Sequence, residues 1–107
     1  MRRFGALEVR ALFQDLRKKT LSVLHVRLKP YAAAPALYHR RTEEFFLILR
    51  GTVHGRVGNR RRTFKAGDYC YLPPGTLHEF RAGKDGADTL DVFFPGLDLE
   101  KPDITLA

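Results

Sequence analysis

The run His39-Arg40-Arg41-Thr42-Glu43-Glu44-Phe45-Phe46-Leu47-Ile48-Leu49-Arg50-Gly51 decides the fold. After Glu44 come five consecutive apolar residues, closed off by Arg50-Gly51. A stretch this short, rich in aromatic side chains and bounded by charge and glycine, reads as a strand rather than a helix. Because nothing in it alternates, both of its faces are expected to be covered. One face would lie inside a closed sheet and the other against a second sheet or another subunit. A homodimer is therefore expected.

The same reading extends upstream. Leu21-Ser22-Val23-Leu24-His25-Val26-Arg27-Leu28 alternates, with Leu24, Val26 and Leu28 on one face, which predicts a second strand. Residues 7–13 form a first strand, although residues 6–19 also fit a poorly capped helix. Residues 15–19 read as a charged turn. Pro30 ends the second strand, and residues 31–35 form an Ala-rich connection.

Downstream, Arg50-Gly51 turns the chain, residues 52–57 return it, and Gly58-Asn59 supplies the positive-φ tolerance that a tight hairpin needs. Phe64 begins a strand leading to Gly67-Asp68. Residues 69–72 make another, and after the stiff Pro73-Pro74-Gly75 turn so do residues 77–82. Residues 83–88 read as a polar loop before a last strand over residues 90–94. The tail, residues 97–107, carries few structure signals and is free to pack across the barrel or a partner. Punctuation by Gly or Pro every dozen residues or so is the spacing of an all-β antiparallel protein.

At 107 residues, 44% hydrophobic and 29% charged, the chain has room for one domain, residues 1–107, with one modest core. No segment approaches the ~20 apolar residues that span a bilayer, so no membrane partner is expected. Glu8 and Arg10 break up the N-terminal region, and one cysteine, Cys70, suits a reducing compartment. The expected location is cytoplasmic. A net charge of +7 raises the question of nucleic acid, but the clusters Arg2-Arg3, Arg17-Lys18-Lys19, Arg40-Arg41 and Arg60-Arg61-Arg62 are dispersed. With no helix-based reading motif and aromatics committed to core strands, no nucleic-acid partner is expected.

The residues that carry chemistry are His39, Glu44 and His78. His39 and Glu44 are five apart, an odd separation that places them on opposite faces of a regular strand, so both face inward only if the chain bends between them. His78 follows the rigid Pro73-Pro74-Gly75 turn, which can fix its register. Two imidazoles and a carboxylate form a ligand set for one divalent ion: Zn, Fe, Mn, Ni or Cu. Burying an unpaired Glu44 beside Phe45 and Phe46 costs on the order of several kcal/mol, so it needs a cation or a proton. The alternative is structural: His39 as a core histidine bonded to Glu44, with His78 in the same network. His25 lies opposite Leu24 and Val26 and reads as surface or interface. His54 shares a face with Thr52 and Arg56, from which it could turn into the barrel mouth. Cys70 reads as core, with no base spaced to activate it.

Residues 31–51 resemble the first motif of the cupin family, G-x5-H-x-H-x4-E-x6-G, and residues 67–82 resemble the second, G-x5-P-x-G-x2-H-x3-N. His39, Glu44 and Gly51 keep the spacing of the first, as do Gly67, Pro73, Gly75 and His78 that of the second. The resemblance implies an antiparallel jelly-roll barrel of the double-stranded β-helix type and a four-ligand metal site. Tyr31 stands where the first glycine belongs, Ala82 where the final asparagine belongs, and Leu37 where the first histidine ligand belongs. Three protein ligands with open positions still suffice for a catalytic metal. Leu37 would place an apolar wall beside the ion, and with Phe46 and Phe80 it is expected to contact the substrate. The resulting expectation is a metal-binding cupin that binds or acts on a small polar or anionic molecule. The other is a metal-free cupin that binds or senses a ligand without catalysis.

Overall fold

In a computed structural model, residues 2–14 and 20–107 are described, and among them every regular element is a strand. They are β1 (Arg2–Phe4), β2 (Leu7–Gln14), β3 (Ser22–Leu28), β4 (Ala33–Tyr38), β5 (Glu43–Val57), β6 (Arg60–Lys65), β7 (Tyr69–Leu72), β8 (His78–Phe94) and β9 (Thr105–Leu106). The strand reading of residues 7–13 holds and the helical alternative does not. The turn expected at residues 15–19 lies outside the described residues. No helix among the described residues is long and apolar enough to cross a membrane.

Two long strands organise the molecule. β5 and β8 pair antiparallel along nearly their whole length, from Glu43↔Phe94 to Val57↔His78. Near the middle both bend, so the ribbon passes from one sheet into the other. In one sheet, residues 87–93 of β8 lie between β3 and the first half of β5, with β2 beyond β3 and β7 beyond β5. In the other, residues 78–82 of β8 lie between β4 and the second half of β5, flanked by β9 and β6. The result is the expected antiparallel jelly-roll barrel.

The bend explains two departures from the sequence reading. Arg50-Gly51 was expected to reverse the chain and residues 83–88 to form a loop, yet both lie within continuous strands. Gly51 and Gly86 have φ of 83° and 71°, in the left-handed region that only glycine enters cheaply. A Cβ on Gly51 would be driven into the Gly86 carbonyl, so the backbones touch here and no side chain fits between them. A third departure is β4, which begins at Ala33 inside the expected connection. Its poor strand formers are held in register by β8, through Ala33↔Arg81, Ala34↔Phe80 and Leu37↔His78.

The core lies between the sheets. Leu24, Val26 and Leu28 are buried on the inner face of β3, and Phe46, Ile48, Val53, Phe64 and Leu72 fill the middle. Each such side chain contributes roughly 1.5–3 kcal/mol by leaving water. Phe46, Phe64 and Phe80 meet edge to face, with centroids 5.2 to 6.3 Å apart. On β5, Glu44, Phe46 and Ile48 are buried, whereas Phe45 and Leu47 are half-buried and Leu49 is exposed. The inner face is thus covered by the chain itself and the outer one is not.

Candidate metal centre

Each of the three residues comes from a different piece of backbone. His39 sits between β4 and β5, where the chain bends at Arg40-Arg41. That bend reconciles the odd spacing of His39 and Glu44. The Asp103 carboxylate holds it: Oδ1 accepts from the Arg40 amide (3.2 Å), and Oδ2 from the amides of Arg41 and Thr42 (2.8 and 3.1 Å) and the Thr42 hydroxyl (3.1 Å). Those four donors hold the Asp103 carboxyl below the usual range, against the opposing effect of burial. Glu44 begins the inner face of β5, opposite Leu72 on β7 and Phe93 on β8. His78 opens β8 just after the Pro73-Pro74-Gly75 turn. The Gly75 amide donates to the His39 carbonyl at 2.7 Å, so that turn also ties the two motif stretches together.

All three side chains are buried, and one potential ligand atom from each lies within 4.8 Å of the others. Glu44 Oε1 is 3.1 Å from His39 Nε2 and 3.8 Å from His78 Nε2. The outer nitrogens are occupied: His39 Nδ1 donates to the Asp103 carbonyl at 2.6 Å, and His78 Nδ1 to the Thr76 carbonyl at 3.1 Å. A carbonyl can only accept, so each Nδ1 carries a proton and each Nε2 faces the centre. Backbone carbonyls orient metal-binding histidines in the same way.

The electrostatics separate the two imidazoles. Burial pushes the His39 imidazole down, but its bond to Glu44, the Asp103 carbonyl and the nearby carboxylates together raise it above its ordinary value. Burial dominates at His78 and, with His39 nearby, lowers it in spite of Glu44. His39 Nε2 lies within hydrogen-bond distance of Glu44, while His78 Nε2 stands farther off. A divalent ion would be held by the two ring nitrogens and the carboxylate.

Sequence reasoning missed a second carboxyl. Asp91 on β8, opposite Phe46, lines the same cavity, takes a hydrogen bond from the Thr89 hydroxyl at 2.7 Å and is bonded to Glu44. Burial and the neighbouring Glu44 push its carboxyl well above the usual range. The available signal was Phe93, two residues on, which shares Asp91's inward face. Asp103 had no such signal.

The remaining candidates fall elsewhere. Leu37 and Phe80 line the main cavity with the three site residues, whereas Phe46 lines a smaller adjoining pocket of about 70 Å³. His25 is half-buried on the opposite face of β3, bonded to Asp88 at 2.8 Å. His54 is exposed beside Thr63 and does not reach the cavity. Cys70 is a buried free thiol pushed up by burial, as expected of a core residue.

A family model described as Cupin domain matches residues 24–93, well over half of the chain. The chain belongs to the cupin family. No match is found among curated proteins. Among solved structures, KdgF from Halomonas sp. superposes on this cupin with a TM-score of 0.85 at 17% identity, covering 94% of this chain and 89% of that one. A double-stranded β-helix protein from Klebsiella pneumoniae gives 0.81 at 18% identity, over 100% of this chain and 89% of that one. A variant of Bacillus subtilis oxalate decarboxylase gives 0.80 at 24% identity, covering 98% of this cupin, which spans only 29% of that chain. At these identities the likenesses speak to the fold alone.

Proposed function

We propose that this cupin holds one divalent metal ion, drawn from Zn, Fe, Mn, Ni and Cu, between His39, Glu44 and His78, and that a small molecule with a polar or anionic group meets the ion there. The carrying observation is the donor set: a buried carboxylate facing two imidazole Nε2 atoms whose outer nitrogens are already held by carbonyls. Bound there, such an ion would supply Lewis acidity, polarising a carbonyl or activating water. The chain's own residues orient the rings and keep a second carboxyl, Asp91, beside Glu44. The test is elemental analysis of protein purified without added metal and again after reconstitution. Near-stoichiometric metal supports the reading, while less than ~0.1 equivalent after reconstitution overturns it.

One observation favours a metal-free cupin that binds a ligand without catalysis. No buried side-chain polar atom among the described residues lacks a hydrogen-bond partner, so the cluster satisfies itself through the His39–Glu44 pair. Thermal melts with and without divalent ions separate the two readings, since a ligand that binds only the native state raises its Tm. A metal-induced rise lost in His78→Ala defeats the metal-free reading.

The proposed assembly is a homodimer through the outer face of the β3-β8-β5-β7 sheet. Across that face Val23, Val92, Phe45 and Tyr71 are successive ladder partners, and Leu90, Leu47 and Tyr69 form the adjacent row. Tyr69 is 65% exposed and stacks on Phe45. Contiguous apolar surface of this kind marks an association site. With its lone reduced cysteine, the proposed location is the cytoplasm.

A further inference from the structure

The cavity above the three site residues has a volume of about 380 Å³, at the low end of the ~300–1,000 Å³ of small-molecule sites. Of the described residues lining it, only His39, Glu44, His78 and Asp91 are polar, and these four are grouped together. Among the described residues, no Arg, Lys, Ser, Thr, Asn, Gln or Tyr lines the rest, although the chain carries a net charge of +7. A polar group of a ligand seated against that wall would lose its water and find no side-chain partner among the described residues, at a cost of roughly 2 kcal/mol or more. Sugars, polyols and compact dicarboxylates do not suit such a wall.

Much of that wall comes from outside residues 24–93, the segment shared with the family model. β1 and β2 contribute Phe4, Leu7 and Val9, and the tail contributes Leu99, Ile104 and Leu106. Ligand chemistry thus sits in the common barrel, while the surface that selects the rest of the molecule is built from the chain's flanking segments.

We propose that the molecule this cupin takes is a small amphiphile: an alkyl or aryl body packed against Leu7, Val9, Leu24, Leu37 and Leu99, bearing a single oxygen-containing head that reaches His39, Glu44 and His78. This inference rests on the preceding reading only in placing the head at those three residues.

Two homologous series test it by calorimetry: n-alkyl hydroxamates from acetohydroxamate to octanohydroxamate on zinc-loaded protein, and n-alkyl carboxamides from propanamide to octanamide on metal-free protein. Affinity is expected to rise roughly three- to fourfold per added methylene until the cavity fills. Val9→Thr, which sets a hydroxyl in the wall, or Leu99→Thr should that variant fail to fold, is expected to cut the affinity for the longest probe several-fold. Affinity independent of chain length in both series, no binding in either, or tighter binding of succinate than of the longest probes overturns the proposal. A protein that takes no zinc yet shows the carboxamide gradient keeps the amphiphile and loses the metal. One that takes zinc and shows no gradient does the reverse.

Discussion

Leu37 and His78 are direct partners across the β4–β8 ladder, so the side chain at the position that the cupin resemblance assigns to a histidine ligand stands next to a residue of the centre. Cross-strand partners place their Cβ atoms ~4.5–5.5 Å apart, close enough for two imidazoles to share one ion. Leu37→His is expected to tighten zinc binding by on the order of tenfold or more, about 1.4 kcal/mol, measured by competition with a chromogenic chelator. Unchanged affinity in a folded variant would mean that position 37 does not address the centre.

Tyr31 is held at φ 60°, and it is the one non-glycine residue with positive φ among the described residues. It occupies the position where the first cupin motif has glycine. A side chain there costs roughly 1–2 kcal/mol, and Tyr31 is 63% exposed, so little packing offsets that cost. Tyr31→Gly is expected to raise stability by about 0.5–1 kcal/mol in urea denaturation, the gain being reduced by glycine's freedom in the unfolded chain. A loss of stability would refute the strain argument.

Asp103 serves the corner and the centre at once, its carboxylate holding the backbone at residues 40–42 and its carbonyl holding His39. Asp103→Ala is expected to cost about 1–3 kcal/mol of stability and about tenfold in metal affinity, the second through a loosened imidazole. Asp103→Asn keeps one acceptor and should fall between. Metal titration alongside chemical denaturation reads both effects, and a stability loss with metal affinity intact would confine Asp103 to the corner.

Asp88 on β8 binds His25 and Arg27 of β3 at 2.8 and 3.1 Å and Arg50 of β5 at 2.6 Å, clamping three strands. Burial alone would raise its carboxyl, but Arg50, Arg27 and His25 bring it down to about 2. A carboxyl depressed by folding stabilises the native state fully above its unfolded value, near ~3.9, and that contribution is lost as pH falls toward the folded one. The wild type should therefore lose about 1–2 kcal/mol between pH ~4.5 and ~2 that Asp88→Asn does not lose, discounted for the half-exposed arginines. Parallel stability-versus-pH curves for the two proteins would show that the clamp carries no such energy.

Tyr69→Lys puts a charge on the β7 edge of the outer apolar face while leaving the buried side of the sheet untouched. Sedimentation velocity should show a dimer for the wild type and a monomer for the variant, with the melting temperature of the monomer little changed. A wild-type monomer would remove the proposed interface.

The strands were legible because burial writes itself into the sequence: Leu24, Val26 and Leu28 alternate, and Pro73-Pro74-Gly75 can only turn. The three site residues were found because two motifs hold them at recognisable spacings. What stayed hidden depends on partners far along the chain. A glycine inside a ladder and a glycine at a reversal look alike until the facing strand is known, which is why Gly51 and Gly86 read as breaks. Asp103 acts on His39 through a carbonyl 64 residues away, and Asp91 reads as an ordinary polar residue until Phe93 is seen to face inward.

The tail is bound into the same structure as the site. The Leu97 amide donates to the Ser22 hydroxyl, Thr105–Leu106 pairs with β4, the Ala107 amide donates to the Ala36 carbonyl, and Asp103 grips His39. Seating of this segment and occupancy of the centre thus share one free energy, and reciprocity follows. Whatever fills the centre must favour the seated tail by the same free energy by which release of the tail weakens the centre, so amide exchange at residues 103–107 reports on the occupancy of a site to which those residues contribute no ligand.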